Sequence, residues 1–318
     1  MPRISIYSSV GEFEKLRSRW ESICIAGQAT IFQDFDWNLL AARIFAHREP
    51  LFVVCAEASY GIAIIPVVHR GSDGSLRLLG EELFDYRSFL HSGDGDESLL
   101  RAGLSALVQT KASLEVVAVR ETERRPVMEE LDLLPFTVAP SVNCTETSAE
   151  HFAGSHYRLG RNLRRFHKLG FDLNTYYGDS SALLREIYSK KAAQDSASLF
   201  HDACRMEFII QAARMAPRRC EIFALECGPR MAAALVTWKD GNFRRFYTGW
   251  FDPHYGKLSP AMTLIYEVTR QSLASGLNCD YMTGEQPYKL RLATNSTRLY
   301  RLLASPEQLA ALREVVAA

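Results

Sequence analysis

The chain has 318 residues, 47% hydrophobic and 23% charged, with 37 basic side chains against 37 acidic ones. That length allows two ordinary domains, and the even charge balance does not imply broad electrostatic capture of nucleic acid or anionic membrane, while leaving room for local basic patches. The apolar runs, such as Gly61–Val68, are too short to span a bilayer, and the first twenty residues lack the apolar centre of a secretory leader.

Seven cysteines are scattered without CxxC or metal-ligand spacing, which reads as reduced thiols in a cytoplasmic protein with no structural metal. In chain order, Arg3–Tyr7 reads as a strand, and Val10–Cys24 and Asp34–Phe45 as helices. Leu51–Glu57, Tyr60–His69, Ser75–Gly80 and Tyr86–Leu90 are β-rich, and Ser92–Glu97 is a Gly/Asp turn. Helix Glu97–Val108, strand Leu114–Val119, short helix Arg124–Leu131 and strand Phe136–Pro140 close the first half.

The second half repeats that order. Phe171–Tyr176 is a strand, and Ser181–Ala193 and Arg205–Ala216 are helices. Cys220–Glu226, Met231–Trp238 and Phe243–Trp250 are strands, with Asp240-Gly241 as a hairpin turn. Helix Pro260–Ser275, strand Asn278–Met282, helical segment Gln286–Ala293, strand Thr297–Leu303 and helix Pro306–Val316 follow. The Thr-, Ser- and Glu-rich stretch Ser141–Ser155 marks the junction, giving domains 1–145 and 146–318.

Two stretches carry possible chemistry. Tyr247–Ala261, YTGWFDPHYGKLSPA, reads as a strand end, a loop and a helix start, with Ser259 as N-cap and Pro260 at the first helical position. By spacing alone it is a capped helix after a turn. The sharper reading is a phosphate site, because a helix start offers unpaired N–H groups and the positive end of a dipole. The second is His156–Lys168, where Arg158, Arg161, Arg164, Arg165 and Lys168 recur at helical spacing. A solvated face accounts for it; the alternative is an anionic ligand or an acidic neighbour.

The element order resembles the GNAT acyltransferase fold, present twice. The second half also resembles the BioF2-like acetyltransferases, a GNAT branch related in architecture to the FemABX peptidyltransferases. The resemblance rests on HYRLGRNLRRFHKLG at His156–Gly170, FDPHYGKLSPAMTLIYEV at Phe251–Val268 and CDYMTGEQPYKLRLA at Cys279–Ala293. In the first half it rests on LLGEELFDYRSFL at Leu78–Leu90. It implies tandem α/β (α+β) GNAT-like domains, each a mixed, mostly antiparallel sheet flanked by helices. It also implies acetyl-CoA or another acyl-CoA as donor and a small-molecule or glycan-linked amine as acceptor, held between the domains. Aminoacyl-tRNA is the donor in the related peptidyltransferases.

The two halves differ in charge before their long helices. His91–Glu97 carries three carboxylates, which repel a diphosphate, whereas HYGKLSPA at His254–Ala261 carries none, so the donor is expected in the second half. The resemblance then places pantetheine along Thr248, Gly249 and Trp250, and the diphosphate at Tyr255, Gly256, Lys257, Leu258, Ser259 and Ala261. Tyr288 is the candidate acid for the leaving thiolate and Lys289 the candidate oxyanion donor. Asp280 and Glu285 are candidates to position or deprotonate. Asp85, Tyr86, Arg161, Arg165 and Tyr247 are candidate acceptor or tunnel contacts. Each also has a plain structural account, as a turn acid, core aromatic or solvated cation. A rival enzyme reading is tRNA-dependent aminoacyl transfer. A non-enzyme reading is an accessory protein of polysaccharide or envelope biosynthesis, supported by Gly256 being the single glycine between Phe251 and Ala261.

Overall fold

A computed structural model of the chain describes residues 2–26, 29–71, 74–92 and 97–313. Most of the acidic turn read at Ser92–Glu97 lies outside those residues, as does the end of the helix expected over Pro306–Val316. The chain divides into two compact units, Met1–Thr137 with Arg298–Ala318, and Val138–Thr297. Among the described residues no helix is long and apolar enough to cross a membrane, and no cluster of His, Cys, Asp and Glu has the makings of a metal site.

In the first unit the strands are β1 (Arg3–Tyr7), β2 (Leu51–Ala58), β3 (Gly61–His69), β4 (Leu76–Leu78), β5 (Leu90–His91) and β6 (Leu114–Arg120). The helices are α1 (Val10–Phe13), α2 (Arg17–Ala26), α3 (Phe35–Phe45), α4 (Ser98–Ala106) and α5 (Pro126–Glu129). β1 to β4 run antiparallel in order, β5 pairs with β3, and β4 pairs parallel with β6 through Leu76↔Leu114. β3 is buried along Ile62–Val68, as a central strand covered on both faces must be. The core joins β2, β3 and β6 to Leu99, Leu100 and Leu104 of α4.

Through the second unit run β7 (Asp132–Val142, its last five residues), β8 (Asp172–Tyr176), β9 (Cys220–Cys227), β10 (Arg230–Asp240), β11 (Phe243–Phe251) and β12 (Asn278–Asp280). Its helices are α6 (Ala149–Ser155), α7 (Tyr157–Lys168), α8 (Ser181–Gln194), α9 (Ala203–Met215), α10 (Pro260–Ala274) and α11 (Pro287–Leu292). The sheet order is β8-β9-β10-β11-β12-β7. β8 to β11 are antiparallel, β11/β12 is parallel and β12/β7 antiparallel. Leu235 and Phe246 on one face of the sheet pack with Leu264 and Val268 of α10.

Each unit is thus a mixed, mostly antiparallel sheet flanked by helices, as the repeated order implies. The last strand of each differs in origin from the sequence reading. Phe136–Pro140 was expected to end the first half and Thr297–Leu303 the second. Instead β13 (Asn295–Ala304) pairs with β6 through Leu299↔Arg120, and the helix α12 (Pro306–Ala311) adds Leu309 to the first unit's core. The end of β7 pairs with β12 through Val142↔Cys279. A strand's periodicity fixes which side chains are buried and leaves its hydrogen-bonding partner open.

Candidate active site

β11 and β12 form a fork. They pair only over Phe243↔Asn278, Arg244↔Cys279 and Arg245↔Asp280, after which β12 ends and β11 continues for six residues paired with β10. Two local features start the divergence. The Arg245 guanidinium and the Asp280 carboxylate form a buried ion pair across the last shared rung. Asp280 Oδ1 also accepts the Met282 N–H at 2.7 Å, and Met282 turns the chain away at φ +66°. On the other strand the β10/β11 register shifts between Val236↔Thr248 and Thr237↔Phe246, leaving Tyr247 as the extra residue of a bulge. A bulge bends its strand and increases local twist.

Beyond the fork β11 has an open edge. Thr248 and Trp250 are buried, whereas Gly249 and Phe251 are exposed. The Asp252 N–H donates to Ala232 O, which sets the alternation: Gly249 and Phe251 direct their backbone groups away from β10. Their carbonyls accept from α8 side chains, Lys191 Nζ to Gly249 O and Gln194 Nε2 to Phe251 O, each at 3.3 Å. A Cβ built on Gly249 meets nothing nearer than 3.8 Å, so the chain's own packing does not demand glycine there.

The segment after β11 is more ordered than a loop. Asp252 caps a 3-10 helix over Pro253–Leu258, accepting the His254 N–H at 2.9 Å. Such a helix uses its own N–H groups internally, so the expected wrap of a diphosphate by the backbone of Gly256, Lys257 and Leu258 is not set up as drawn. Tyr255 and Leu258 turn inward: the Tyr255 ring lies 5.0 Å from that of Phe171, and Asn162 of α7 holds Leu258 O at 3.0 Å. Gly256 has no Cβ obstruction, and Lys257 is exposed. Ser259 sits at the N-cap position of α10, yet at φ +49° its side chain makes no capping bond. The Thr263 N–H donates to Ser259 O and Pro260 has no N–H, so the uncapped donors at this helix start are Ala261 and Met262.

The expected catalytic residues divide. Tyr288 is 38% exposed, and Glu285 is exposed. Lys289 is buried, and its ammonium donates to Thr283 O at 2.7 Å and to Met282 O at 3.4 Å. That arrangement staples the turn after β12 and commits donors that an oxyanion would need. The Asp280 carboxylate meets the Arg245 guanidinium and accepts the Met282 N–H. The Tyr247 ring lies edge-on to Trp238 at 6.5 Å. Arg161 and Arg165 are exposed on α7. In the first unit Tyr86 is only 2% exposed, packed with Phe32 and hydrogen-bonded through its carbonyl to Gln33, while Asp85 is half-buried beside Arg87. Tyr86 is a core aromatic there, packed on Phe32, which in turn meets Phe84 and, through it, Trp37.

Sequence reasoning missed the α8 residues Tyr188, Lys191 and Gln194, which face β11. It also missed the buried charges: Glu221, fully buried, pairs with Arg244 at 2.6 Å and Lys239 at 2.7 Å, and Arg245 pairs with Asp240 at 2.6 Å. The available signal was the Arg244-Arg245 pair within an aromatic strand, since buried arginines require carboxylate partners.

Residues 154–290 match the family model described as an acetyltransferase (GNAT) domain. No curated protein sequence matches the chain. Among solved structures it is similar to L-PGS of Bacillus licheniformis, with a TM-score of 0.61 and 11% identity over 94% of this chain and 96% of that one. It is similar to FemX, with a TM-score of 0.55 and 10% identity over 87% and 92%. It is also similar to a tandem GNAT protein from the clavulanic acid biosynthesis pathway, with a TM-score of 0.53 and 10% identity over 96% and 99%. At such identities these likenesses carry the fold.

Proposed function

We propose that this chain, a GNAT-superfamily protein of FemABX-like architecture, moves an acyl group from acyl-CoA to an amine by direct attack at the open edge of β11. The observation that carries the reading is the fork: an exposed strand edge that leads, through one 3-10 helix, to a helix start with uncapped N–H groups at Ala261 and Met262. The carbonyls of Gly249 and Phe251 are suited to accept the amide N–H groups of a pantetheine arm, and the α10 start with Lys257 is suited to a diphosphate. These features fit acyl-CoA; no metal or covalent enzyme intermediate is required. The amine attacks the acyl carbon, and Tyr288, 38% exposed, is the proposed acid that protonates the sulfur. An acetyl group and a small-molecule or glycan-linked amine are the proposed substrates. Calorimetry with CoA, followed by thiol release from acetyl-CoA and longer acyl-CoAs against a panel of amines, tests this. A protein that binds no CoA and releases no thiol overturns it.

A second reading, with charged tRNA as donor, is favoured by α7. Arg158, Arg161, Arg164 and Arg165 are exposed, and none of them forms a salt bridge among the described residues. Its inner face is fixed by Phe166 in the core and by Asn162, so the guanidiniums project from an ordered helix. That reading predicts that replacing all four arginines by alanine lowers the slope of log K against log salt for RNA binding by about 3, at ~0.7–0.9 per phosphate contact. Filter binding across a salt series measures the slope. An unchanged slope removes α7 from RNA recognition.

A further inference from the structure

We propose that Lys191 of α8 holds the acyl carbonyl oxygen as it becomes negative during transfer, with Gln194 as a companion donor along the open edge of β11. The inference rests on the reading that transfer occurs at that edge, and it holds for a thioester or an aminoacyl ester alike.

Spacing and contacts locate the pair. Tyr188, Lys191 and Gln194 lie three residues apart on α8, which brings them to one side of the helix. All three are directed at β11. Lys191 reaches Gly249 O, Gln194 reaches Phe251 O, and the Tyr188 hydroxyl faces Thr248 without meeting hydrogen-bond geometry. Lys190, beside them, lies over the Trp250 ring at 4.8 Å. The open edge therefore has a polar wall supplied by one helix.

The wall is only partly satisfied by the chain itself. An ammonium has three donors, and the one bond given to Lys191 is long, at 3.3 Å. No carboxylate lies within salt-bridge distance of this half-buried cation among the described residues. Burial pushes its pKa down, against a weaker upward pull from Asp195. Tyr188 is fully buried, and its hydroxyl is turned to Thr248 just outside strict hydrogen-bond geometry. Buried polar groups in folded proteins are almost always partnered, and an exception calls for a reason. A half-buried cation with one long bond, on a helix face that crosses an exposed strand edge, is what a site awaiting an oxygen-bearing ligand looks like. Lys289, the donor expected from sequence, is already bonded to two carbonyls.

The chemistry balances. The amine nitrogen forms a bond to the acyl carbon, and the carbonyl π pair moves onto the oxygen beside Lys191. When that pair returns, the carbon–sulfur bond breaks, or the carbon–oxygen bond of an ester. The leaving group takes the proton that the amine nitrogen gives up, so the products are an amide and a thiol or alcohol. Lys191 keeps its proton throughout and acts by charge.

Lys191→Met, which keeps the volume and removes the charge, is expected to lower kcat by ~100-fold or more, the usual loss for an oxyanion donor. The donor KM should change by no more than about three-fold, as for a contact made in the transition state. Lys191→Arg, which keeps the charge, should recover part of the loss. If Lys191 only supports the Gly249 carbonyl, Lys191→Met lowers thermal stability with kcat intact, and the proposal falls. A readout independent of turnover is trace acetylation of Lys191 by acetic anhydride, followed by mass spectrometry. Acetonyl-CoA, a ketone analogue that cannot transfer, or an amide-linked aminoacyl minihelix should slow the labelling. Protection by the minihelix alone keeps Lys191 in place while overturning acyl-CoA as the donor. Protection by neither overturns Lys191.

Discussion

Asp280→Ala is expected to destabilise the protein by about 3 kcal/mol, the lower end of the cost of breaking a buried ion pair. The loss should appear as a lower denaturation midpoint in guanidinium chloride. Asp280 and Arg245 are 5% exposed each, and the substitution would leave the guanidinium still paired with Asp240 at 2.6 Å. That second carboxylate is why the lower end of the range applies. The substitution also removes the acceptor for the Met282 N–H, which holds a residue at positive φ where β12 ends. Both losses fall on the rung where the fork begins, so turnover should decline with the folded fraction and recover below the new melting temperature to an appreciable share. A variant as stable as the parent but inactive would instead restore Asp280 to the reacting groups. Asp280→Asn separates the two bonds, since it keeps an acceptor for Met282 while losing the charge facing Arg245.

How far the sequence discloses this arrangement depends on the kind of information each feature needs. The doubled element order is legible because amphipathic helices and alternating or buried strands write their period into a single segment. The exchange of β7 and β13 between units is not, because either strand has the same pattern whichever neighbour it bonds. The 3-10 helix after β11 had its own local signal, Asp252 before Pro253, an N-cap followed by a first-turn proline. Pro253 and Gly256 together read as a loop instead. Asp280 was identifiable as functional or structural only once Arg245 was known to lie opposite it in a parallel ladder. Lys191 is the sharpest case. In sequence it is one of two adjacent lysines near a helix end, indistinguishable from a solvated pair. Its meaning comes from the strand edge that α8 crosses, an edge that exists because β12 stops short.

Ala261→Asp is expected to weaken CoA binding by at least about 30-fold while leaving thermal stability unchanged or slightly raised. The two effects have opposite signs for one reason. A carboxylate in the first turn complements the helix dipole and stabilises it by ~0.3–1 kcal/mol. Ala261 is half-exposed at the second helical position of α10, with room for a longer side chain at the surface. The same carboxylate would stand where a diphosphate is proposed to sit and compete for the Ala261 and Met262 N–H groups. Two like charges about 4 Å apart repel by ~4 kcal/mol at an effective dielectric of 20, and screening at an open site reduces that to about 2 kcal/mol or more. A factor near 30 follows, since each 1.4 kcal/mol is ten-fold. A general loss of folding cannot mimic this outcome, because it would move stability and affinity together. Calorimetric titration with CoA alongside a thermal melt measures both. Unaltered CoA affinity in Ala261→Asp would remove the α10 start from donor binding and, with it, the main support for a CoA thioester over an aminoacyl ester.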